Sequence, residues 1–230
     1  MASISHLKEY YYSYLEYKPK SIFHEFFSEF ILFLFSWIPT LIGVSLRTVF
    51  YKLIFKKCGF VSIRNNVEFK DTYNISLGNL VTIKKHAYLN GNSKEGLIIG
   101  DNSFIDHYAY IKCQGVSGIT IGKSVYVGPF AQIISVGPIV IEDNVMVSGQ
   151  CFVISGDHPT EGEGDVSKNV KKMDGITIGK GSWIGADVKI VDGVKIGRGV
   201  VIGAGAVVTK DIPDNSIAVG VPAKVIKKRK

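Results

Sequence analysis

The chain has 230 residues, 46% of them hydrophobic and 20% charged, which is enough for one folded core with an appendage. A net charge of +7 favours polyanionic partners such as phosphates or anionic lipid, and no nucleic-acid-binding motif accompanies it, so nucleic acid is excluded as an expected partner. The three cysteines, Cys58, Cys113 and Cys151, have no metal-ligand spacing. We expect free, buried or half-buried thiols in a reducing compartment.

Residues 1–58 differ from the rest of the chain and are expected to be helical, with a helix able to start at Ser21 after Pro19. The most apolar stretch, 30–44, is shorter than the about 20 residues that a transmembrane helix needs, and Pro39 and Gly43 interrupt it. The polar and charged first residues predict no secretory signal. The basic residues that follow are Arg47, Lys52, Lys56 and Lys57.

Two interpretations of this N-terminal region stay open. Apolar and aromatic side chains beside cations suit a helix pair that lies in a membrane interface, which would make residues 1–57 a peripheral membrane anchor. The alternative is a helical cap that packs on the rest of the fold or on a neighbouring subunit.

From Leu77 onward a branched apolar residue returns every six positions, most regularly from Ile178 to Val208. This period fits neither a helix nor a simple strand alternation, and it is typical of a parallel β-helix with three hexapeptides per coil. The leading residues form three ladders: Leu77, Ile99, Ile121, Ile141, Ile178 and Ile196; Ile83, Ile105, Val127, Val147, Ile184 and Ile202; Leu89, Ile111, Ile133, Val153, Ile190 and Val208.

The coil-to-coil spacings are 22, 22, 20, 37 and 18 residues along the first ladder, where a perfect coil takes 18. The extra residues all follow the third hexad, so we expect loops stacked at one corner, and insertions on one face of a repeat array often build its binding face. The longest is the predicted loop 154–177. His158 lies near its start, and Pro159 restricts the backbone of His158 to extended conformations.

The hexads stop at Pro213, and the basic tail 214–230 is expected to fold back along the outside. The predicted organisation is therefore a helical region 1–58, a β-helix domain 59–213 with its long loop, and a tail 214–230.

Four stretches resemble the hexapeptide-repeat acetyltransferases, most closely the maltose, galactoside, xenobiotic and surface-polysaccharide O-acetyltransferases. They are Gly-Asp-His-Pro (156–159), Ile-Thr-Ile-Gly-Lys-Gly-Ser-Trp-Ile-Gly (176–185), Ile-Gly-Ala-Gly-Ala-Val-Val-Thr-Lys-Asp-Ile-Pro (202–213) and Val-Gly-Val-Pro-Ala-Lys (219–224). The resemblance covers about residues 60–226.

The resemblance implies a left-handed parallel β-helix and a homotrimer with acetyl-CoA between neighbouring subunits. It implies that His158 is the catalytic base and that Trp183 flanks the thioester end of acetyl-CoA. The other cofactor contacts that it implies are Gly185, Ala186, Gly203 and Ala204 for pantetheine, and Thr209, Lys210 and Lys224 for the nucleotide end.

The chemistry of acetyl transfer agrees with such a base, because a neutral histidine with a pKa near about 6.5 accepts a hydroxyl proton at neutral pH. No serine or cysteine is paired with His158 in the sequence, so the acceptor is expected to attack acetyl-CoA directly. Asp157 and Glu161 are candidates to orient the imidazole, as is a backbone carbonyl, and together with Gln132 they are candidates to contact the acceptor. The acidic loop after His158 departs from the family pattern and points to a different acceptor from that of the simple sugar enzymes.

Other residues have plainer interpretations. Trp183 and its ladder neighbours Phe104, Tyr126 and Met146 are expected to point outward as an apolar stripe that suits a subunit interface. His86 and His107 are expected at the surface. With His158 they are spaced too irregularly for the three-histidine zinc site of the carbonic-anhydrase branch of this fold, so no metal is expected.

The sequence therefore predicts an acetyl-CoA-dependent O-acetyltransferase that modifies a sugar of a bacterial surface polysaccharide or its precursor. An N-acetyltransferase acting on a nucleotide-linked amino sugar is the alternative, because an amine needs the same base, and a non-catalytic scaffold is a third. We expect a cytoplasmic protein, with the inner face of the cytoplasmic membrane as its site if residues 1–57 bind lipid.

Overall fold

A computed structural model describes residues 22–156 and 173–229. Two helices come first, α1 (Ile22–Phe35) and α2 (Thr40–Phe50), and short 3₁₀ turns follow at Tyr51–Leu53 and Thr72–Asn74. The strands are β1 (Lys57–Cys58), β2 (Ser62–Ile63), β3 (Glu68–Lys70), β4 (Ile75–Leu77), β5 (Thr82–Ile83), β6 (Tyr88–Asn90), β7 (Leu97–Ile99), β8 (Phe104–Ile105), β9 (Tyr110–Cys113), β10 (Ile119–Ile121), β11 (Tyr126–Val127), β12 (Gln132–Ser135), β13 (Ile139–Ile141), β14 (Met146–Val147), β15 (Phe152–Ser155), β16 (Ile176–Ile178), β17 (Trp183–Ile184), β18 (Lys189–Ile190), β19 (Lys195–Ile196), β20 (Val201–Ile202), β21 (Val207–Val208), β22 (Ser216–Val219) and β23 (Lys224–Lys228).

Every third strand joins the same sheet, so the chain winds through three sheets in turn. Sheet A has the order β1-β4-β7-β10-β13-β16-β19, and sheet B has the order β2-β5-β8-β11-β14-β17-β20-β22-β23. Sheet C contains β3, β6, β9, β12, β15, β18 and β21 in the same progression. All pairings are parallel except that of β22 with β23. The predicted parallel β-helix is confirmed.

The three predicted ladders are also confirmed, and their members line the interior. Ile121 pairs with Ile141 in sheet A, Val127 with Val147 in sheet B, and Ile133 with Val153 in sheet C. Every ladder residue is at most 1% exposed. Branched side chains suit this pleated, fully packed surface, and burying each contributes about 1.5–3 kcal/mol as an upper estimate.

The β-helix extends beyond the hexads at both ends. Before Leu77, a first coil is built from β1–β3, with Cys58 paired to Leu77 and Phe69 to Leu89. After Pro213, Ile212 bridges Ile196, and β22 adds to sheet B with Ala218 opposite Ile202. The predicted limits, residues 59 and 213, thus lie inside regular coils. At the C-terminal end the continuation is hard to see in the sequence because the ladder step shortens from 18 residues to 16 between Ile196 and Ile212.

The basic tail becomes an edge strand rather than a wrap along the coils. β23 turns back antiparallel along β22, with Val219 opposite Lys224 and Ser216 opposite Lys228. Lys228 Nζ donates to the carbonyl of Asp214 at 2.7 Å and ties this strand to the last turn.

The helix pair covers the N-terminal end of the β-helix, as the cap interpretation predicted. The buried Arg47 of α2 donates from Nε to the carbonyl of Ile63 at 2.8 Å and from Nη1 to that of Phe35 at 2.6 Å. Thr48 donates to the carbonyl of Val61 at 2.6 Å. Burial lowers the pKa of Arg47 below its usual value. Among residues 22–156 and 173–229, no helix has the length and apolar character required to cross a bilayer.

Of the three cysteines, Cys113 and Cys151 are buried and Cys58 is half-buried, and all three are free thiols. Burial raises the pKa of Cys113 to about 12 and that of Cys58 to about 11. These thiols therefore stay protonated and unreactive at neutral pH, in agreement with the structural role expected for them.

Candidate functional site

The loops leave the β-helix at one corner, between sheets C and A, as the spacings predicted. The first loops stack on one another: Ser93 bridges Gly115, and Gly118 N donates to the carboxylate of Glu95 at 3.3 Å. The longest excursion leaves after β15 and returns before β16, so it is narrower than the predicted loop 154–177 because Ile154, Ser155, Ile176 and Thr177 belong to strands.

His158, Asp157 and Glu161 lie outside the described residues, and the structure fixes only the two ends of the segment that contains them. At the first end, Ser155 Oγ donates to the carbonyl of Gly137 at 2.5 Å, and Gly137 N donates to Ser155 O at 2.7 Å. At the second end, the Asp192 carboxylate accepts from Asp174 N at 3.0 Å and from Gly175 N at 2.9 Å. The segment therefore starts and finishes on firmly bonded backbone.

Trp183 points outward from β17 and is 48% exposed. Its indole Nε1 donates to Ser148 Oγ at 3.0 Å, in the neighbouring coil, which fixes the ring on the surface. The predicted outward stripe is present, since Trp183 pairs with Met146, Met146 with Tyr126 and Tyr126 with Phe104 along sheet B.

Gly185, Ala186, Gly203 and Ala204 come together at the corner between sheets B and C, on two successive coils. Gly185 N donates to the carbonyl of Ile202 at 2.9 Å, and a Cβ added to Gly185 would lie 2.7 Å from Ala204 N. Gly185 is buried against the next coil, whereas Ala186 and Ala204 are exposed, so small side chains face the solvent at this corner.

Lys224 lies on the same side of the molecule. It is exposed on β23 opposite Val219, and the Val219 side chain would lie 2.7 Å from a Cβ added to Gly203. Trp183, the four small residues and Lys224 thus form one surface, which we call the bare corner.

Thr209 and Lys210 are not part of that surface. Both are exposed and follow β21, at the corner between sheets C and A from which the long loop leaves. Within one protomer, sheet C separates them from the bare corner.

Gln132 is exposed on the outer face of sheet C beside aromatic side chains that the sequence analysis did not single out. With Tyr108, Tyr110 and Phe130 it lines a shallow cavity of about 210 Å³. The Tyr108 ring stacks on Phe130 and on His86, with ring centroids 4.9 Å apart in both pairs. His86, Tyr108 and Phe130 each lie three residues after a ladder residue. Residues at the same hexad position stack on successive coils, so the sequence contained a signal for this aromatic stack.

His107 has a hydrogen-bonded carboxylate, which the sequence analysis also missed. Its Nδ1 lies 2.7 Å from Asp106 Oδ1, and Tyr126 donates its hydroxyl to Asp106 Oδ2 at 2.8 Å. Burial acts to raise the pKa of Asp106, but the hydrogen bonds from His107 and Tyr126 outweigh it, so this pKa is lowered. Burial, and then the contact with Asp106, raise the pKa of Tyr126 to about 12. The network orients an imidazole that is half-exposed.

A further cavity lies on the outer face of sheet A and contains none of the predicted site residues. Its volume is about 460 Å³, and its charged lining consists of Glu142, Lys195, Arg198, Asp211 and Asp214. Among the described residues, no group of three or more His, Cys, Asp or Glu side chains is placed to hold a metal ion.

Comparison with known proteins identifies the repeats. Residues 175–210 match the family described as bacterial transferase hexapeptide (six repeats). This stretch contains Ile178 to Val208, so the family match falls on the most regular of the predicted hexads. The resemblance to the acetyltransferases of this family is confirmed by the relatives that follow.

The galactoside O-acetyltransferase of Escherichia coli (strain K12) is 37% identical over 90 residues, which cover 39% of this chain and 43% of that protein. The chain thus matches less than half the length of this curated relative.

Two solved structures share the fold. The polySia-specific acetyltransferase NeuO aligns with a TM-score of 0.50 at 24% identity, over 74% of this chain and 86% of that one. A serine-to-threonine mutant of AntD, an N-acyltransferase from Bacillus cereus in complex with dTDP and coenzyme A, aligns with a TM-score of 0.51 at 23% identity, over 76% and 84%. At these identities the likeness supports the fold alone.

Proposed function

We propose that the protein is an acetyl-CoA-dependent O-acetyltransferase that modifies a sugar hydroxyl of a bacterial surface polysaccharide or its precursor. The observation that carries the proposal is the bare corner, where the small exposed residues Ala186 and Ala204 adjoin an indole that Ser148 holds outward. Pantetheine is a narrow chain with amide groups, and it suits a surface of exposed peptide groups without side chains. The similarity to a galactoside O-acetyltransferase favours a sugar acceptor.

The cofactor is proposed to lie between protomers of a homotrimer. Thr209 and Lys210 lie at a different corner from Gly185, Ala186 and their neighbours. In a trimer with parallel axes, the bare corner of one protomer would face the loop corner of the next. One acetyl-CoA molecule would then have its thioester beside Trp183 and its phosphates near the cations Lys210 and Lys224.

His158 is proposed to be the general base. It takes the proton from the acceptor hydroxyl as the oxygen attacks the thioester carbonyl carbon. The tetrahedral intermediate collapses with cleavage of the carbon–sulfur bond, and the imidazolium returns its proton to the departing thiolate of CoA. A base of this kind contributes about 10²–10⁴-fold to the rate. Asp157 or Glu161 is proposed to orient the imidazole, and Gln132 to contact the acceptor.

The test of this function is acetylation of candidate saccharides, followed by mass spectrometry and alkali treatment of the product. We expect a product that gains one acetyl group and loses it in alkali, because esters hydrolyse readily. An alkali-stable product would be an amide and would favour the alternative, an N-acetyltransferase acting on an amino sugar. Absence of acetyl-CoA binding would contradict both.

The base assignment is tested with histidine variants. His158→Ala should retain acetyl-CoA binding and lose at least about 10²-fold in transfer rate. His86→Ala is the matched control and should keep near-normal turnover, because His86 only stacks on Tyr108. If His107→Ala abolished transfer while His158→Ala did not, the base would be the imidazole held by Asp106.

We also propose that the enzyme works in the cytoplasm at the inner face of the cytoplasmic membrane, with residues 1–57 in contact with lipid. The orientation of α1 and α2 supports this location.

A further inference from the structure

The first helix has its polar side chains inward and much of its apolar surface outward. Glu25 and Ser28 are buried at 2% and 3% exposure, and Ser28 Oγ lies 3.0 Å from Thr72 Oγ1. Glu29 pairs with Lys70 at 3.0 Å. Ile31 is also buried, but four phenylalanines are largely exposed, with exposures of 83%, 57%, 57% and 74% for Phe23, Phe26, Phe30 and Phe33.

The second helix continues this outward apolar surface. Gly43, Arg47 and Thr48 are buried against the first coil, whereas the opposite side of α2 and the residues flanking it expose large apolar side chains. Soluble monomers rarely expose contiguous apolar surface of this kind unless it binds something. We call the exposed set the apolar cap: Phe23, Phe26, Phe30, Phe33, Leu34, Trp37, Leu41, Ile42, Val49 and Leu53.

Exposed lysines lie beside the apolar cap. Lys52, Lys56 and Lys57 are exposed where α2 runs into the first strand. Between residues 22 and 59 the acidic side chains are Glu25, which is buried, and Glu29, which is paired with Lys70. Apolar and aromatic side chains next to exposed lysines match the boundary between acyl chains and anionic headgroups.

We propose that the apolar cap enters the headgroup–acyl boundary of a bilayer that contains anionic lipids, with Lys52 and Lys56 against the headgroups. This deepens the proposed membrane location and does not depend on transferase chemistry. Because both helices cover the first coil, the N-terminal end of the β-helix faces the bilayer and the later coils stand away from it.

The experiment is flotation of the full-length protein with two kinds of vesicle, phosphatidylcholine alone and phosphatidylcholine with phosphatidylglycerol. We expect stronger binding to the anionic vesicles. The double variant F30S/F33S should bind at least about 10-fold more weakly, since both rings lose a buried apolar environment. K52Q/K56Q should weaken binding to the anionic vesicles by about 5-fold or more per lysine at low salt.

The control variant is Val116→Ser, which changes a similarly exposed apolar residue on the loop after β9, outside the apolar cap, and should leave flotation unchanged. A second measurement uses Trp183→Phe, in which Trp37 is the sole tryptophan. The emission of Trp37 should shift to the blue when anionic vesicles are present. When the same protein also carries F30S/F33S, the emission should not change with vesicles.

Three results would overturn the proposal. The first is that the wild type does not bind vesicles and that light scattering shows a smaller particle for F30S/F33S than for the wild type. The apolar cap would then be a contact between copies of the chain. The second is full vesicle binding by F30S/F33S with loss on removal of residues 1–21. The third is equal loss with Val116→Ser. Flotation needs no acetyl-CoA, so a failed acetylation assay leaves this result independent.

Discussion

The corner between sheets B and C has the same backbone along the whole β-helix but two different surfaces. In the early coils its left-handed turn position is occupied by His86, Tyr108 and Phe130, which stack into an aromatic column. In the late coils the same position is occupied by Gln150, Asp187 and Gly205, and the position before it by the small residues Ala186 and Ala204. Ladder burial fixes the path of the chain in both halves. Side chains at the corner are therefore free to stabilise the early half and to leave room for a ligand in the late half.

The largest expected effect comes from closing the open half. Ala204→Phe places a ring on an exposed corner position, so acetyl-CoA binding should weaken by about 100-fold, or about 2.8 kcal/mol. Lys85→Phe makes the same addition at the matching position of the aromatic half and should leave the dissociation constant unchanged. Calorimetric titration with acetyl-CoA measures both, and equal affinities in the two variants would refute the division of the corner.

Close backbone contact in the late half gives the next effect. Gly185→Ala brings a methyl group 2.7 Å from Ala204 N, so the free energy of unfolding should fall by about 1–3 kcal/mol. Gly181→Asn is the control, because Gly181 has a φ of +69° with no atom within 4 Å, and asparagine tolerates that region. Thermal unfolding that lowers both variants equally would contradict the contact.

A smaller effect is expected from opening the aromatic half. Tyr108→Ser removes two ring stacks and should cost about 1–2 kcal/mol of stability. Acetyl-CoA affinity should not change, since the column lies in the early coils. A loss of affinity measured by the same titration would show that the two halves act as one site.

The smallest effect tests the network next to the column. The folded-state pKa of Asp106 is lowered, so its stabilisation is present above the unfolded pKa and is lost as pH falls through the folded value. Asp106→Asn should therefore cost about 1 kcal/mol at neutral pH and progressively less as the pH drops below about 4. Urea unfolding across this range measures the difference, and a cost independent of pH would exclude the carboxylate as its source.

Sequence reasoning succeeded where the six-residue period and the inward–outward alternation along a strand determine the structure. The six-residue step gave all three ladders, and the position before Ile184 gave the outward direction of Trp183. It placed the start of the β-helix at residue 59, just after β1, because Cys58 and Ile63 are five residues apart, which hides the phase. It also missed the end of the β-helix, because Ile212 arrives two residues early in the ladder.

Other features depend on contacts that no local pattern contains. Sequence reasoning left two interpretations of α1 open, because Phe27, Ile31 and Phe35 are apolar on the inward side as well, so the helix sequence has no clearly polar face. The Asp106–Tyr126 hydrogen bond joins residues 20 positions apart on adjacent coils. The ladders place these two residues close together, but the side-chain conformations that make the bond are not encoded in the repeat. The role of His158 stays a prediction.

Parallel stacking also sets a fixed distance between equivalent positions on successive coils of the β-helix. Trp183 is five strand steps from Ser62 in sheet B, and neighbouring strands lie about 4.8 Å apart, so the two are about 24 Å apart along the stack. If the apolar cap lies in a bilayer, the proposed reaction beside Trp183 would take place about 24 Å along the stack from the coil that the helices cover. Insertion or deletion of one whole coil between β5 and β14 would change this reach by a single strand step and leave every contact at the corner intact.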